Sequence, residues 1–387
     1  MKSSSFLIAA ALLLRAFQGL APAAEAAPAC AKPACDAAFL NEVRALPPAQ
    51  QVERVTAKLK ELNPLFDPVK AKLTHKAENG QVTELSFSGT AVADLSPICV
   101  LRHLRVLSCP GTGDRRPLTS LEPLRGLPLQ SLDVGFSKVA DLTPLKGAPL
   151  ASLNIQWSEV RDLSPLADAP LTSLKIDGTG ITSLLAIRDA KLTALSASFT
   201  SLDDLAPLRG MPLAELTIHQ TNVTDLAPLS DTPIAKLDVS ANAITTLAPL
   251  KDRPLTVLNA AFTKIADLVP LTGSKITDLD IRDTPVKDLA PLAGVPIARL
   301  ACAYTKVRDL APLKGSTIAN LDCSRTAVTD FKALTETKIR VLQCEFVASR
   351  DIALLGSIPT LQAVNGFGIA ALKELQTHLA QAAPRQP

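Results

Sequence analysis

The chain has 387 residues, 47% of them hydrophobic but only 3% aromatic, so a large core is available and it has to be aliphatic. A net charge of +3, with no run of Lys or Arg, gives no support to a polyanion partner such as nucleic acid. Thirty prolines against seventeen glycines is a ratio that asks for a regular explanation.

Residues 1–26 read as an export signal. Lys2 precedes a short apolar stretch over 6–14, and the small residues of Ala24-Glu25-Ala26 suit a signal peptidase. That stretch is too short to span a bilayer, and no later segment has the ~20 apolar residues a span requires. The chain is therefore expected to be exported, to the periplasm, the cell envelope or the medium, with no integral membrane segment in its mature form. Residues 27–81 are expected to form an N-terminal helical cap. Two short helices are predicted over 36–62, where Pro48 opens the second and Val52, Val55, Leu59 and Leu62 share one face.

Beyond the cap the chain repeats. Two irregular copies, Val82–His103 and Leu104–Pro128, come first, the second with an insertion around Gly111–Pro117. Leu then recurs at 132, 153, 174, 195, 216, 237, 258, 279, 300, 321 and 342, a spacing of 21 without slippage over eleven copies in 129–359. The shared pattern is L-x-x-L-x-h-x-x-T-x-V-x-D-L-x-P-L-x-x-x-P, with h small or aliphatic. Alternation at columns four and six, as in Leu153 and Ile155, predicts a short strand with one apolar face. A single strand cannot bury that face, so the copies stack into a parallel sheet over a continuous core. Leu163 and Leu166 fill the core from the return limb. Pro165 and Pro170 exclude an α-helix there and predict 3₁₀ or extended segments, which accounts for the proline excess. About thirteen coils over 82–366, at ~4.8 Å per strand, make a rod roughly 60 Å long. A partial copy ends the tract at 358–366. Residues 367–387 are expected to close it with an amphipathic helix, Ile369, Leu372, Leu375 and Leu379 on one face, and a tail.

This pattern resembles the leucine-rich repeat family, in the short variant seen in internalin-like bacterial surface proteins and protein-phosphatase-1 regulatory subunits. The resemblance covers 82–366 and implies a leucine-rich repeat solenoid, a parallel β-sheet of short strands with 3₁₀ or extended returns and helical caps at both ends. Thr or Ser stands where the family has Asn, except at Asn242, which predicts weaker side-chain bonding along that column. The stretches at 45–67 and 82–87 are similar to the cap on repeat tracts of some bacterial Ser/Thr kinases, here without a kinase domain.

No catalytic constellation survives the repeat. The "VRDL" at 160–163 looks like part of a kinase catalytic loop, but it recurs at 307–310, and column thirteen is Asp in nine of eleven copies. The Gly-rich loop, the V-A-I-K lysine and the D-F-G of a kinase are missing. The Asp is expected to accept backbone N–H bonds and cap the D-L-x-P-L turn. Calcium would need six to eight oxygens where each coil offers one carboxylate. The four histidines, 75, 103, 219 and 378, are scattered without a nucleophile beside them. The chain is expected to be no enzyme, with no cofactor and no metal site. Cys302, Cys323 and Cys344 share an inward column and read as small core residues. Cys30 with Cys35, or Cys99 with Cys109, is a candidate disulfide of an exported chain, and the odd total leaves at least one thiol free or paired between molecules.

The candidate binding surface lies on the strands and their rim. Columns three, five and seven carry mixed charge, among them Lys175, Asp280 and Arg282, with His219 alongside. Column eight holds Phe136, Trp157, Phe199, Phe262, Tyr304 and Phe346, including the only Trp and the only Tyr. Such rings either pack over the strand-to-turn corner or stand as anchors for a partner. Column eight also admits Asp283, Arg325, Gln220 and Gly178, and that tolerance of charge favours a surface edge. The expectation is an exported, monomeric, non-enzymatic scaffold that binds a protein partner through the strand face and aromatic rim. The alternatives are a regulatory or sensor subunit of a separate bacterial Ser/Thr kinase, and a structural cell-envelope protein without a specific ligand.

Overall fold

The computed structural model describes residues 37–113, 116–371, 374 and 377; the signal segment, Cys30, Cys35, Leu372, Leu375 and Leu379 lie outside them. Two helices come first, α1 (Ala37–Arg44) and α2 (Pro48–Leu62). Proline opens α2 at the position where its missing N–H is no loss, and Val52, Val55 and Leu59 turn inward. Asn63 ends α2 and ties it to the first coil. Its amide donates to the carbonyls of Leu59 (2.8 Å) and Asp94 (3.0 Å), and its oxygen accepts from the N–H groups of Ala93 and Asp94.

The strands form one sheet of sixteen, stacked in chain order. A hairpin of β1 (Thr74–Glu78) and β2 (Gln81–Ser86) begins it, turning through Asn79-Gly80 with φ of +52° and +75°. From β2 onward pairing is parallel, until a second antiparallel pair, β15 (Ala363–Val364) with β16 (Phe367–Gly368), ends the sheet. Both hairpins are additions to the helical caps expected from the sequence. Every residue of β1 is exposed, and Lys76 and Glu78 blunt that edge against pairing with another chain.

Each regular coil has a strand of three residues with the column-four Leu inward, then a return limb carrying a 3₁₀ turn such as Ser164–Leu166. The Leu, Ile and Val of the inward columns are essentially inaccessible, each such side chain contributing about 2 kcal/mol of burial. Leu185–Ile187 forms the same turn without proline, so the packing of Leu184 and Ile187 suffices to hold it. The last full copy departs from the pattern. Its return limb lacks proline and forms a true α-helix, α3 (Ala348–Ser357), instead of the expected 3₁₀ turn. Asp351 reaches back to accept the Val347 N–H at 2.8 Å, which starts this helix in the manner of a capping box. Residues 369–371 are helical at the C-terminal end.

Two side-chain columns hold the coils in shape. The Asp of column thirteen accepts the N–H two residues on, as Asp141, Asp162, Asp204, Asp225, Asp267, Asp288, Asp309 and Asp330 all do at 2.7–2.8 Å. In column nine, Thr hydroxyls donate to the carbonyl three residues back in their own coil, for example Thr179 to Ile176 (2.6 Å) and Thr305 to Cys302 (2.6 Å). Asn242 alone in that column reaches across coils. It donates to the Ile218 carbonyl at 2.7 Å and accepts the N–H and hydroxyl of Thr221, both at 2.9 Å.

The sequence pairing of Cys99 with Cys109 is overturned. Cys99 is disulfide-bonded, but Cys109 is a free thiol. Cys109 lies inward just after the strand Val106–Ser108, while Cys99 sits in the 3₁₀ turn Ser96–Val100 on the return limb. Cys302, Cys323 and Cys344 are also buried and free, and burial pushes the Cys344 thiol up to about 12. Such thiols are inert filler.

Two tests follow from these columns. Asn242→Ala should cost about 1–2 kcal/mol, because it removes the side-chain bonds to the Ile218 carbonyl and to the Thr221 N–H and hydroxyl that tie two coils, and a denaturant titration reads the loss. Hydrogen bonds from Ser164 and Thr143 lower the pKa of Asp162 and Asp141 in the folded state. Their stabilisation is therefore present above the unfolded value of about 3.9 and lost as pH falls through the folded values. Thermal melts should be level from about pH 7 to 5 and fall below about pH 4.

Candidate binding surface

Column eight is where the strand leaves the sheet, and its backbone is left-handed in every regular coil up to Arg325. The φ angles are +56° at Phe136 and Trp157, +64° at Gly178, +57° at Phe199 and Phe262, +51° at Asp283 and +59° at Tyr304. Each of these residues donates its N–H to the column-seven carbonyl of the next coil, from Trp157 to Asp177 (2.6 Å) through Tyr304 to Ser324 (3.0 Å). The corner is thus welded to the sheet. A left-handed residue with a side chain costs about 1–2 kcal/mol, and Asn, Asp and Gly are the residues that normally accept it. Aromatic residues are out of place there by backbone preference, so the rings must be retained for another reason. The sequence carried only a faint signal of this geometry, in Gly178 and Asp283 within the same column.

The six rings divide into groups. Phe136 stacks on Trp157 with ring centres 6.4 Å apart and planes at 21°, and Trp157 meets Phe199 at 5.7 Å. Trp157 and Phe199 are two coils apart, and the coil between them supplies Gly178. A Cβ at Gly178 would lie 2.4 Å from the indole, so only glycine leaves room for Trp157 to lean across. Phe199 packs edge-on to the His219 ring at 5.0 Å, and Arg116 from the irregular second coil donates to the Trp157 carbonyl at 3.0 Å. This half of the column is a self-supporting stack. Phe346 is half-buried against the core. Phe262 and Tyr304 differ: they are 56% and 57% exposed, against 45% for Phe199, and neither makes a ring contact among the described residues.

The polar residues named with the rim are unequal. Lys175 is exposed and makes no ion pair among the described residues. His219 shares a hydrogen bond through Nδ1 with the Ser240 hydroxyl at 2.7 Å. Asp280 and Arg282 grip each other in a two-point pair (2.6 and 3.0 Å), which raises the guanidinium above its ordinary pKa. The Asp280 carboxylate also accepts the Arg282 N–H. The same intracoil bond recurs in column five at Asp133, Asn154, Asp238, Asn259 and Asp322, each accepting the N–H of column seven (2.9–3.2 Å). Much of the strand face's acidity is thus committed to ending the strand rather than offered to solvent.

No group of three or more metal-ligating side chains occurs among the described residues, and none of their helices is long and apolar enough to cross a membrane. No family model and no curated relative matches the sequence. Solved structures do match. An internalin (InlF) from Listeria monocytogenes superposes with a TM-score of 0.60 at 20% identity, covering 83% of this chain and 91% of that one. The fold is that of a leucine-rich repeat protein. The functional domain of InlJ from the same organism, described as including a cysteine ladder, gives 0.51 at 20% identity over 72% of this leucine-rich repeat chain and 71% of its own. The leucine-rich repeat ectodomain of the Arabidopsis receptor kinase HAESA, solved with a peptide hormone, gives 0.55 at 14% identity over 85% and 64%.

The division of the rings predicts opposite outcomes for one substitution. Trp157→Asn should lower stability by about 2 kcal/mol, since loss of the stacked and packed indole outweighs the relief of the left-handed backbone. Phe262→Asn should leave stability unchanged or raise it by up to about 1 kcal/mol. Paired denaturant titrations of the two variants check this.

Proposed function

We propose that the chain is an exported, monomeric, non-enzymatic interaction scaffold that binds a protein partner along the rim formed by column eight and the adjoining strand face. The observation that carries the reading is the pair Phe262 and Tyr304. Both rings are more than half exposed, and both sit on a backbone conformation that disfavours them. Backbone strain with no internal return is typical of positions kept for a ligand. Large exposed rings on a rigid edge are also the usual anchors of a protein interface. Lys175 and His219 extend the surface toward the stacked rings.

Two further points support the reading. One structural neighbour, the HAESA ectodomain, was solved holding a peptide hormone. Export is supported by the signal-like N-terminus and by the disulfide at Cys99, a bond that persists in oxidising compartments. A monomer is the expected state because Lys76 and Glu78 put charge on the exposed edge strand β1.

A photo-crosslinking amino acid placed at 262 or 304 should capture a protein partner in the source cell's envelope or medium, and one at Lys251, on the return limb, should not. Equal capture at all three positions, or none at 262 and 304, would contradict the rim.

A further inference from the structure

Asp283 stands in column eight between Phe262 and Tyr304, one coil from each. It is singular among the carboxylates of the strand face and rim. Asp133, Asp177, Asp238, Asp280 and Asp322 accept hydrogen bonds, and Glu215, Asp278 and Glu345 pair with Lys236, Arg299 and Arg325. The Asp283 carboxylate has no hydrogen bond and no ion pair among the described residues. Arg282, its chain neighbour, is occupied by Asp280, and Lys264, which lines a shallow recess of about 320 Å³ with Asp283 and Phe262, forms no ion pair with it.

We propose that Phe262, Asp283 and Tyr304 form an aromatic cage for a guanidinium, the side chain of an arginine on an extended segment of the partner. The N–H groups of all three residues are bonded to the next coil (2.8, 2.9 and 3.0 Å), so their spacing is that of the sheet. At ~4.8 Å per coil the backbones that carry the two rings stand roughly 10 Å apart, so a cation between rings standing out from them would lie about 5 Å from each, inside the ~6 Å reach of a cation–π contact. Asp283, one coil from each ring, carries the carboxylate that would supply the countercharge. A planar guanidinium can face both rings and still donate to the carboxylate, whereas an ammonium offers a point charge without faces. This proposal rests on the rim reading and names the chemistry of its occupant.

The probe is the blocked peptide acetyl-Gly-Arg-Gly-amide, with the citrulline peptide as its uncharged isostere, titrated into protein carrying ¹³C-labelled Phe and Tyr. The expected result is saturable movement of the Phe262 and Tyr304 ring signals with the arginine peptide. Affinity should fall at least about tenfold for citrulline and for Asp283→Asn, one charge-assisted contact's worth. Phe199→Asn should change nothing. Asparagine accepts a positive φ, so Asp283→Asn is not expected to disturb the fold. Equal response to citrulline, an undiminished response in Asp283→Asn, or no response at the two rings would overturn the cage. If the peptide fails while crosslinks at 304 persist, the cage falls and the scaffold stands; loss of both removes the rim as well.

Discussion

The structure depends on the corner where each strand leaves the sheet. A coil of 21 residues has to turn there within one residue, and the left-handed backbone of column eight makes that turn. Its N–H then bonds the next coil, so the corner stiffens the stack instead of interrupting it. The side chains at this column are consequently held in a row at sheet spacing, whatever their chemistry. A row with fixed spacing on a rigid edge is suited to display, and the sequence has filled it with rings where backbone preference alone would favour Asn or Gly.

That row has two solutions to the same strain. Around Trp157 the rings meet one another across Gly178, and stacking contributes stability that offsets the unfavourable backbone. Around Phe262 and Tyr304 no such ring contact exists among the described residues, and the carboxylate of Asp283 between them in sequence is equally without a partner there. The polar ladder shows a parallel economy of contacts. In column nine Thr hydroxyls bond within a coil and Asn242 joins two coils, whereas Thr172, Thr193, Thr256 and Thr277, just before their strands, donate to the carbonyl one coil back. Cohesion between coils rests mainly on the sheet bonds and the aliphatic core, with these side-chain bonds added to them.

The repeat was legible because its physics is periodic. Leu at a fixed spacing of 21 through eleven copies, proline on most return limbs and Asp before nine of the eleven turns each have one structural consequence, repeated along the tract. The features that escaped are the ones that occur once or that depend on backbone sign. The two hairpins were signalled only by Asn79-Gly80 and Asn365-Gly366, and α3 only by a loss of proline that the 3₁₀ turns Leu185–Ile187 and Lys332–Glu336 share. That Cys99 does not pair with Cys109 depends on where the fold places the two side chains, one on the return limb and one after a strand, which spacing along the chain does not encode. The rim was visible as a column of aromatics, yet its left-handed backbone was not, because Phe, Trp and Tyr hide the preference for Gly and Asn. The commitment of Asp280 and its column to their own coil was likewise invisible, and it leaves Asp283 as the carboxylate that stands apart.

The central claim is that one half of the aromatic column is coupled and the other half is not. A pair of double-mutant cycles measures this directly, one through Trp157→Asn and Phe199→Asn, the other through Phe262→Asn and Tyr304→Asn. The account predicts a coupling of about 0.5–1.5 kcal/mol for the first pair and less than about 0.3 kcal/mol for the second. Comparable coupling in both pairs, or none between Trp157 and Phe199, would contradict it.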